Sequence, residues 1–447
     1  MNGIATIADA RAAVINSFDM RLVRNKGQSM PLLFVILDGA ADRKNSILNG
    51  MTPFQSAKTP NLRELASWSV KDMMYPIGKG IAPESDAAVF SILGYDMSSY
   101  TGRGPLEAYG AGLKITNKSV AFRCNFATID ANMNIIDRRA GRIETKDAKA
   151  LQKEIAGIDL GMEGIRFKFK ATVGHRGVCV FYSSKKDLSA NVSNADIGYV
   201  RKGNISVAEE TTSKVLPRMV PLDDSDFAAN TARIVNTFIG KVIDRLSHSE
   251  VNSSRERKGL LKANVLLLRD AGVGLPKVET FEARHKMKCA FIAEMPVEMG
   301  IAKLLGMAPI KLKVLKNKRR RYRKMAELVN QNVSNYDFIY VHIKGPDEPG
   351  HDGDAKLKKE VLEEVDESFF SEVKGLDADI CVTCDHATPC TLKAHSSDPV
   401  PVMVRYADSR SGDQINFDEE IDSKGGMGVI NGNKLVDYII KGRSNVK

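Results

Sequence analysis

Six cysteines in 447 residues do not make a disulfide framework. A reducing cytoplasm is therefore the expected setting. No apolar run approaches the ~20 residues that cross a bilayer. The longest notable run, Leu32 to Leu37, has the length of a buried strand. Asp9, Arg11, Asp19 and Arg21 break any apolar core of a signal peptide, and the two aspartates disfavour a mitochondrial transit peptide. Residues 1–29 are expected to be a short amphipathic extension, or a start-site choice upstream of Met30. Aromatic residues are scarce, at 6%. No aromatic platform interleaves with the basic residues, so stacking readout of a single strand has no support. Internal repeats and long low-complexity segments are also absent. At 43% hydrophobic and 27% charged, the composition is that of a globular protein and excludes disorder as the main state. The length fits two or three domains, or one core carrying an insertion.

Acid is in deficit. Lys and Arg number 65 against 55 Asp and Glu, a net charge of +10, which invites a nucleic-acid or anionic-ligand reading. The excess is local. Nine basic residues and no acid lie between Lys311 and Lys324, and without them 56 basic residues face 55 acidic ones. The segment is expected to be a solvated loop or a helix start.

Apolar runs of strand length recur between helical patterns: LLFVIL (32–37), NVLLLR (264–269), CAFIAE (289–294), DFIYVHI (337–343), DICVTC (379–384) and VPVMVRY (400–406). Such runs indicate a parallel sheet covered on both faces. Residues 354–373 carry an apolar helical stripe. Val120, Phe122, Cys124 and Phe126 instead alternate with other residues, as does VCVFYSS (178–184), which predicts antiparallel strands. The expected architecture is an α/β core interrupted by an α+β insertion, with a return linker near 253–258.

Ligands of open α/β sheets bind beyond the carboxyl ends of strands. Asp38 follows the first run, Lys344, Asp347 and His351 follow the fourth, and Asp385 and His386 follow the fifth; His395 precedes the sixth. Three aspartates and three histidines on one rim suit Mn²⁺, Zn²⁺ or Mg²⁺. They exceed the needs of one ion, and a two-metal site suits in-line phosphoryl displacement. Ser85, in the loop entering an apolar helix, is a nucleophile candidate that the helix N-terminus would assist; its plain alternative is an N-cap. Cys381 and Cys384 are spaced to opposite faces of a strand and do not make a zinc site. His342, His175 and His285 are expected to be structural.

The stretches LLFVILDGAADR (32–43), TPFQSAKTPNLRELA (52–66), PIGKGIAPESDAAVFSILGYD (76–96), YTGRGPLEAYGAGLKI (100–115), FRCNFATID (122–130), DRRAGRIE (137–144), VHIKGPDEPGHDGD (341–354) and CDHATPCTLKAHSSDPVPVMV (384–404) carry a resemblance. In order and spacing, from about Pro31 to GGMGVI (425–430), the chain resembles the archaeal-type cofactor-independent phosphoglycerate mutases of the alkaline phosphatase superfamily. The resemblance implies an alkaline-phosphatase-like α/β core, with a mostly parallel central sheet flanked by helices, at 30–113 and 256–447. It implies an inserted α+β substrate-binding lobe at 114–255. It implies interconversion of 3-phosphoglycerate and 2-phosphoglycerate in glycolysis and gluconeogenesis, without 2,3-bisphosphoglycerate. Ser85 would become phosphoserine. Asp38, Ser85, Asp385 and His386 would hold one divalent metal, and Asp347, His351 and His395 a second. Mn²⁺ or Mg²⁺ is expected, with Zn²⁺ or Co²⁺ as alternatives. Arg123, Arg138, Arg139, Arg142 and Lys344 are candidates for holding phosphate and carboxylate. The stretch 310–324 and the Gly-Ala-Ala-Asp at 39–42 depart from the family pattern.

Two other readings stand beside this one. The chain could be a different metal-dependent phosphotransferase or phosphatase of the superfamily, since fold does not fix substrate. It could also be a non-catalytic nucleic-acid-binding protein. A membrane or nucleic-acid partner is not expected, and the oligomeric state is not legible.

Overall fold

The computed structural model describes residues 30–208, 213–313, 315–408, 416–421 and 429–443. The expected extension at 1–29 and most of the GGMGVI stretch lie outside the described residues. The strands are β1 (Leu32–Leu37), β2 (Val70–Tyr75), β3 (Ser119–Ile129), β4 (Ile135–Asp137), β5 (Ile165–Ala171), β6 (Arg176–Ser183), β7 (Tyr199–Lys202) and β8 (Ile205–Ala208). They continue with β9 (Val265–Val273), β10 (Cys289–Ile292), β11 (Ala308–Pro309), β12 (Phe338–Ile343), β13 (Asp379–Thr383), β14 (Val400–Arg405) and β15 (Ile430–Asn431).

An eight-stranded sheet runs in the order β11-β10-β12-β1-β13-β14-β2-β15. It is mostly parallel: β1 lies between β12 and β13 in parallel register, Leu32 opposite both Phe338 and Asp379. Every residue of β1 and β12 is buried, as strands covered on both faces require. Two pairings depart from that expectation, because β14 runs antiparallel to both β13 and β2. The run 400–406 is thus an antiparallel strand, and its apolar character reflects burial rather than direction.

A second, antiparallel sheet has the order β4-β3-β6-β5, with β9 also paired to β3. Helices Thr145–Ala156 and Asp226–Ser247 contribute Leu151, Ile155, Val235 and Phe238 to its own apolar core. Here NVLLLR differs from its reading as a strand of the parallel sheet. It lies in β9, paired Leu268 to Cys124 and Leu266 to Phe126, so the second sheet runs past residue 255. The stretch read as a return linker is a helix, Glu250–Arg257, capped by Ser249 and anchored by the buried Arg255 on Asp147 and the Ala140 carbonyl. Residues 354–373 form a helix at Ala355–Val365, a wide turn at Asp366–Phe370 and a last turn at Ser371–Val373. The wide turn lets Asp366 accept from the amides of Asn61 and Leu62, at the start of helix Pro60–Ala66.

The two layers meet at a close helix crossing. Helix Arg103–Gly110 packs on the second sheet and on helix Pro296–Leu304 of the first layer. A Cβ on Gly110 would lie 1.7 Å from the Pro296 carbonyl oxygen, and one on Gly300 would lie 1.9 Å from that of Leu106. Only glycine permits this approach. No helix among the described residues is long and apolar enough to cross a membrane.

Candidate active site

The turns after β1, β12 and β13 open on the same edge of the eight-stranded sheet and bring Asp38, Asp347, Asp385 and His386 together. Two clusters of potential ligand atoms result, Asp38 with Asp385 and His386, and Asp347 with His386 and His395. His351 joins the second, its Nε2 lying 3.1 Å from His395 Nε2 and 3.4 Å from Asp347 Oδ1. The His386 and His395 rings stack at 3.7 Å.

The imidazole orientations are fixed from behind. His395 Nδ1 donates to the Pro83 carbonyl at 2.8 Å, and His351 Nδ1 to the Lys393 carbonyl at 3.2 Å. Thr388 Oγ1 donates to Asp347 Oδ1 and accepts from His386 Nδ1, both at 3.0 Å. Each ring therefore turns Nε2 inward, the arrangement that backing hydrogen bonds impose on metal-binding histidines. Asp38 Oδ1 and Asp385 Oδ2 are buried without a hydrogen-bond partner. Buried carboxylates facing inward-turned imidazoles require a positive charge among them. The charge balance says the same. Burial opposes protonation of His395, yet Glu84 and Asp347 hold its pKa up to about 9. Burial opposes ionisation of Asp347, yet Lys344 and the histidines hold it well below the usual carboxylate range. The donor set fits divalent metal ions.

Ser85 stands at this cluster. It is the first residue of helix Ser85–Ile92, with Glu84 at the N-cap position, so it is not the cap that its place in the sequence allowed. Its Oγ lies 3.1 Å from His386 Nε2. The backbone N–H groups of the first turn surround the hydroxyl with positive potential. Lys344, a candidate for phosphate, donates to Asp38 Oδ2 and lies 3.4 Å from Asp347 Oδ2, between the two carboxylates.

Beside Ser85 lies a buried network of alternating charge. Arg103 bonds Glu84 at 3.2 Å, Asp86 at 3.1 Å and Glu107 at 3.0 Å. Arg123 lies 3.9 Å from Glu107. Arg269 donates to Asp196 at 2.7 Å, and Arg138 donates to the same carboxylate at 2.8 Å. Burial lowers the Arg123 pKa to about 10, with Arg103 and Arg269 adding to the effect. Burial raises Asp86 to about 7, although Arg103 pulls the other way. Of the predicted arginines, Arg123 and Arg138 belong to this network. Arg139 and Arg142 are exposed, and Arg142 Nη2 lies 3.4 Å from Asp352 Oδ1. Sequence reading missed Glu84, Arg103, Asp196 and Arg269. Arg103 had a signal, since it stands four residues before Glu107 in the GRGPLEAYG stretch.

A buried ion pair ties two ligand-bearing turns together. Lys358, fully buried, donates to Asp42 Oδ2 at 2.9 Å, to the Ala41 carbonyl at 3.1 Å and to the Thr388 carbonyl at 2.9 Å. Asp42 in turn accepts from the Cys390 amide. Lys358→Met is expected to cost ~3–5 kcal/mol of stability, because it strands the buried Asp42 charge. Urea denaturation measures that loss, and a change below ~1 kcal/mol would count against the anchoring role.

A family model for 2,3-bisphosphoglycerate-independent phosphoglycerate mutase matches residues 66–252. A relative of that name from Aeropyrum pernix is 40% identical over 415 residues, which is 90% of this chain and 97% of the relative. One from Methanocaldococcus jannaschii is 37% identical over 410 residues, 91% of this chain and 95% of the relative. Among solved structures, the cofactor-independent phosphoglycerate mutase of Thermoplasma acidophilum matches with a TM-score of 0.59 at 31% identity, covering 92% of this chain and 99% of that one. The PH0037 protein of Pyrococcus horikoshii matches with a TM-score of 0.73 at 28% identity, covering 94% and 98%. With identity at this level across nearly the whole of both chains, the protein belongs to the 2,3-bisphosphoglycerate-independent phosphoglycerate mutase family.

Proposed function

We propose that the chain is a phosphoglycerate mutase that interconverts 3-phosphoglycerate and 2-phosphoglycerate through a phosphoserine at Ser85, working in cytoplasmic glycolysis and gluconeogenesis. The observation that carries the reading is the Ser85 hydroxyl at a helix N-terminus, 3.1 Å from His386 within the carboxylate–imidazole cluster.

Asp38, Asp385, His386 and Ser85 would hold one divalent ion, and Asp347, His351 and His395 another, Mn²⁺ or Mg²⁺ being the expected metals. Bound there, the ions supply charge neutralisation of the phosphate and polarisation of its oxygens. Ser85 Oγ attacks phosphorus in line, and the glycerate oxygen leaves. Glycerate turns within the site, and its other hydroxyl takes the phosphoryl group back. Arg123, Arg138 and Arg269 hold glycerate through this exchange, their guanidinium groups matching carboxylate and phosphate. Lys344 screens the phosphate between Asp38 and Asp347. The segment built on the second sheet is the substrate lobe, inserted into a discontinuous metal-binding core, and it keeps water from the phosphoserine.

The test is incubation with 3-phosphoglycerate and Mn²⁺, with enolase reporting 2-phosphoglycerate. Formation of 2-phosphoglycerate without stoichiometric phosphate release is expected. Rapid phosphate release with no 2-phosphoglycerate would make the chain a phosphatase.

A further inference from the structure

Behind the cluster just described lies a third one. His342 lies in β12 opposite Ile36 of β1, and Glu298 stands in the first turn of helix Pro296–Leu304. Their ligand atoms and one of Asp38 lie within 4.8 Å of one another. All three side chains are at most 1% exposed.

Two observations point to a ligand here. Glu298 Oε2 and His342 Nε2 are buried with no hydrogen-bond partner among the described residues. A buried carboxylate oxygen and a ring nitrogen left in that state cost several kcal/mol unless something satisfies them. Asp38 also reaches both imidazoles. Its Oδ1 lies 3.4 Å from His386 Nε2, and its Oδ2, which accepts from Lys344, lies 3.7 Å from His342 Nε2. His342 Nε2 also lies 3.5 Å from Asp385 Oδ2. A carboxylate with one oxygen toward each imidazole can serve an ion at each.

We propose that Asp38, Glu298 and His342 form a third divalent-cation site, distinct from the two that contact substrate. Two carboxylates and one imidazole suit Mn²⁺ or Zn²⁺. An ion there balances the buried carboxylates and fixes Asp38 from behind. Glu298 shares its helix with Gly300, so the ion also ties the glycine crossing to the sheet. The inference rests on the two-metal reading only through Asp38. The competing source of positive charge is local, the His342 imidazolium with the Lys344 ammonium on Asp38.

Metal counting separates the two. The full chain is loaded with Mn²⁺, dialysed, and measured by inductively coupled plasma mass spectrometry. About three ions per chain are expected in the wild type, and one fewer in Glu298→Gln. A wild type that saturates at two, or a Glu298→Gln that keeps the full count, overturns the third site alone. A wild type that binds none takes the two-metal reading down with it. Should Glu298→Gln fail to fold by circular dichroism, wild-type crystals soaked in Mn²⁺ decide the matter. An anomalous peak between Asp38, Glu298 and His342 supports the site, and its absence at full occupancy of the front positions rejects it.

Discussion

Ser85→Ala lowers mutase turnover by roughly 10⁴-fold or more, while the fold and metal uptake persist. The size follows from chemistry, because the proposed route needs the Ser85 hydroxyl to hold the phosphoryl group between its two positions on glycerate. Persistence of the fold follows from local structure. Ser85 is not the N-cap of its helix, and its Oγ touches His386 rather than the backbone of the first turn. Removing one oxygen therefore costs one weak contact and no cap. The three aspartates and three histidines of the cluster remain. The measurement is the enolase-coupled assay with Mn²⁺, beside a metal count on the same preparation. Mass spectrometry of acid-quenched wild type should also find phosphate on the peptide containing Ser85. Turnover near the wild-type rate in Ser85→Ala would end the phosphoserine route.

Stripping the metals is the second large effect. Chelation followed by desalting should lower activity at least ~10²–10³-fold, because preorganised charge at the transferring phosphoryl group is usually the largest catalytic term. Stability should fall with it. Asp38, Asp347 and Asp385 are buried around inward-facing histidines, and Lys344 alone cannot balance three carboxylates. Returning Mn²⁺ to ~100 times its dissociation constant should restore about 2.7 kcal/mol per independent site. Thermal melting with and without Mn²⁺ measures this. An enzyme that keeps full rate and an unchanged melting temperature after chelation contradicts the metal assignment.

Legibility in the sequence varied with the physics involved. β1, β12 and β13 were readable because they are buried on both faces, and near-continuous apolar runs of strand length have few other uses. Turns that follow such strands carry the candidate ligands, so Asp38, Asp347 and Asp385 could be found from position alone. β2 was missed because VKDMMY carries Lys71 and Asp72, which are buried. β9 was seen as a strand but placed in the wrong sheet, since an apolar run does not say which partner covers it. The charge network near Ser85 was legible only in part. Arg123 and Arg138 stood in segments of the resemblance, but Arg269 and Asp196 meet across 73 residues. His342 was discounted because a histidine inside a strand pattern reads as packing. The carboxylates that face it, of Asp38, Glu298 and Asp385, come from other elements and are not visible in its own segment.

The pairing of β3 with β9 has a consequence for modularity. Val120 lies opposite Val273, so the chain enters and leaves the second sheet side by side. All strands of the eight-stranded sheet lie outside residues 119–273. The whole segment is thus a cassette with adjoining ends. A relative's cassette could be exchanged at these two strand ends without shifting the register that aligns the catalytic turns. Specificity could then diverge by swapping or reshaping one continuous stretch of gene, with the phosphoryl-transfer machinery left as it stands.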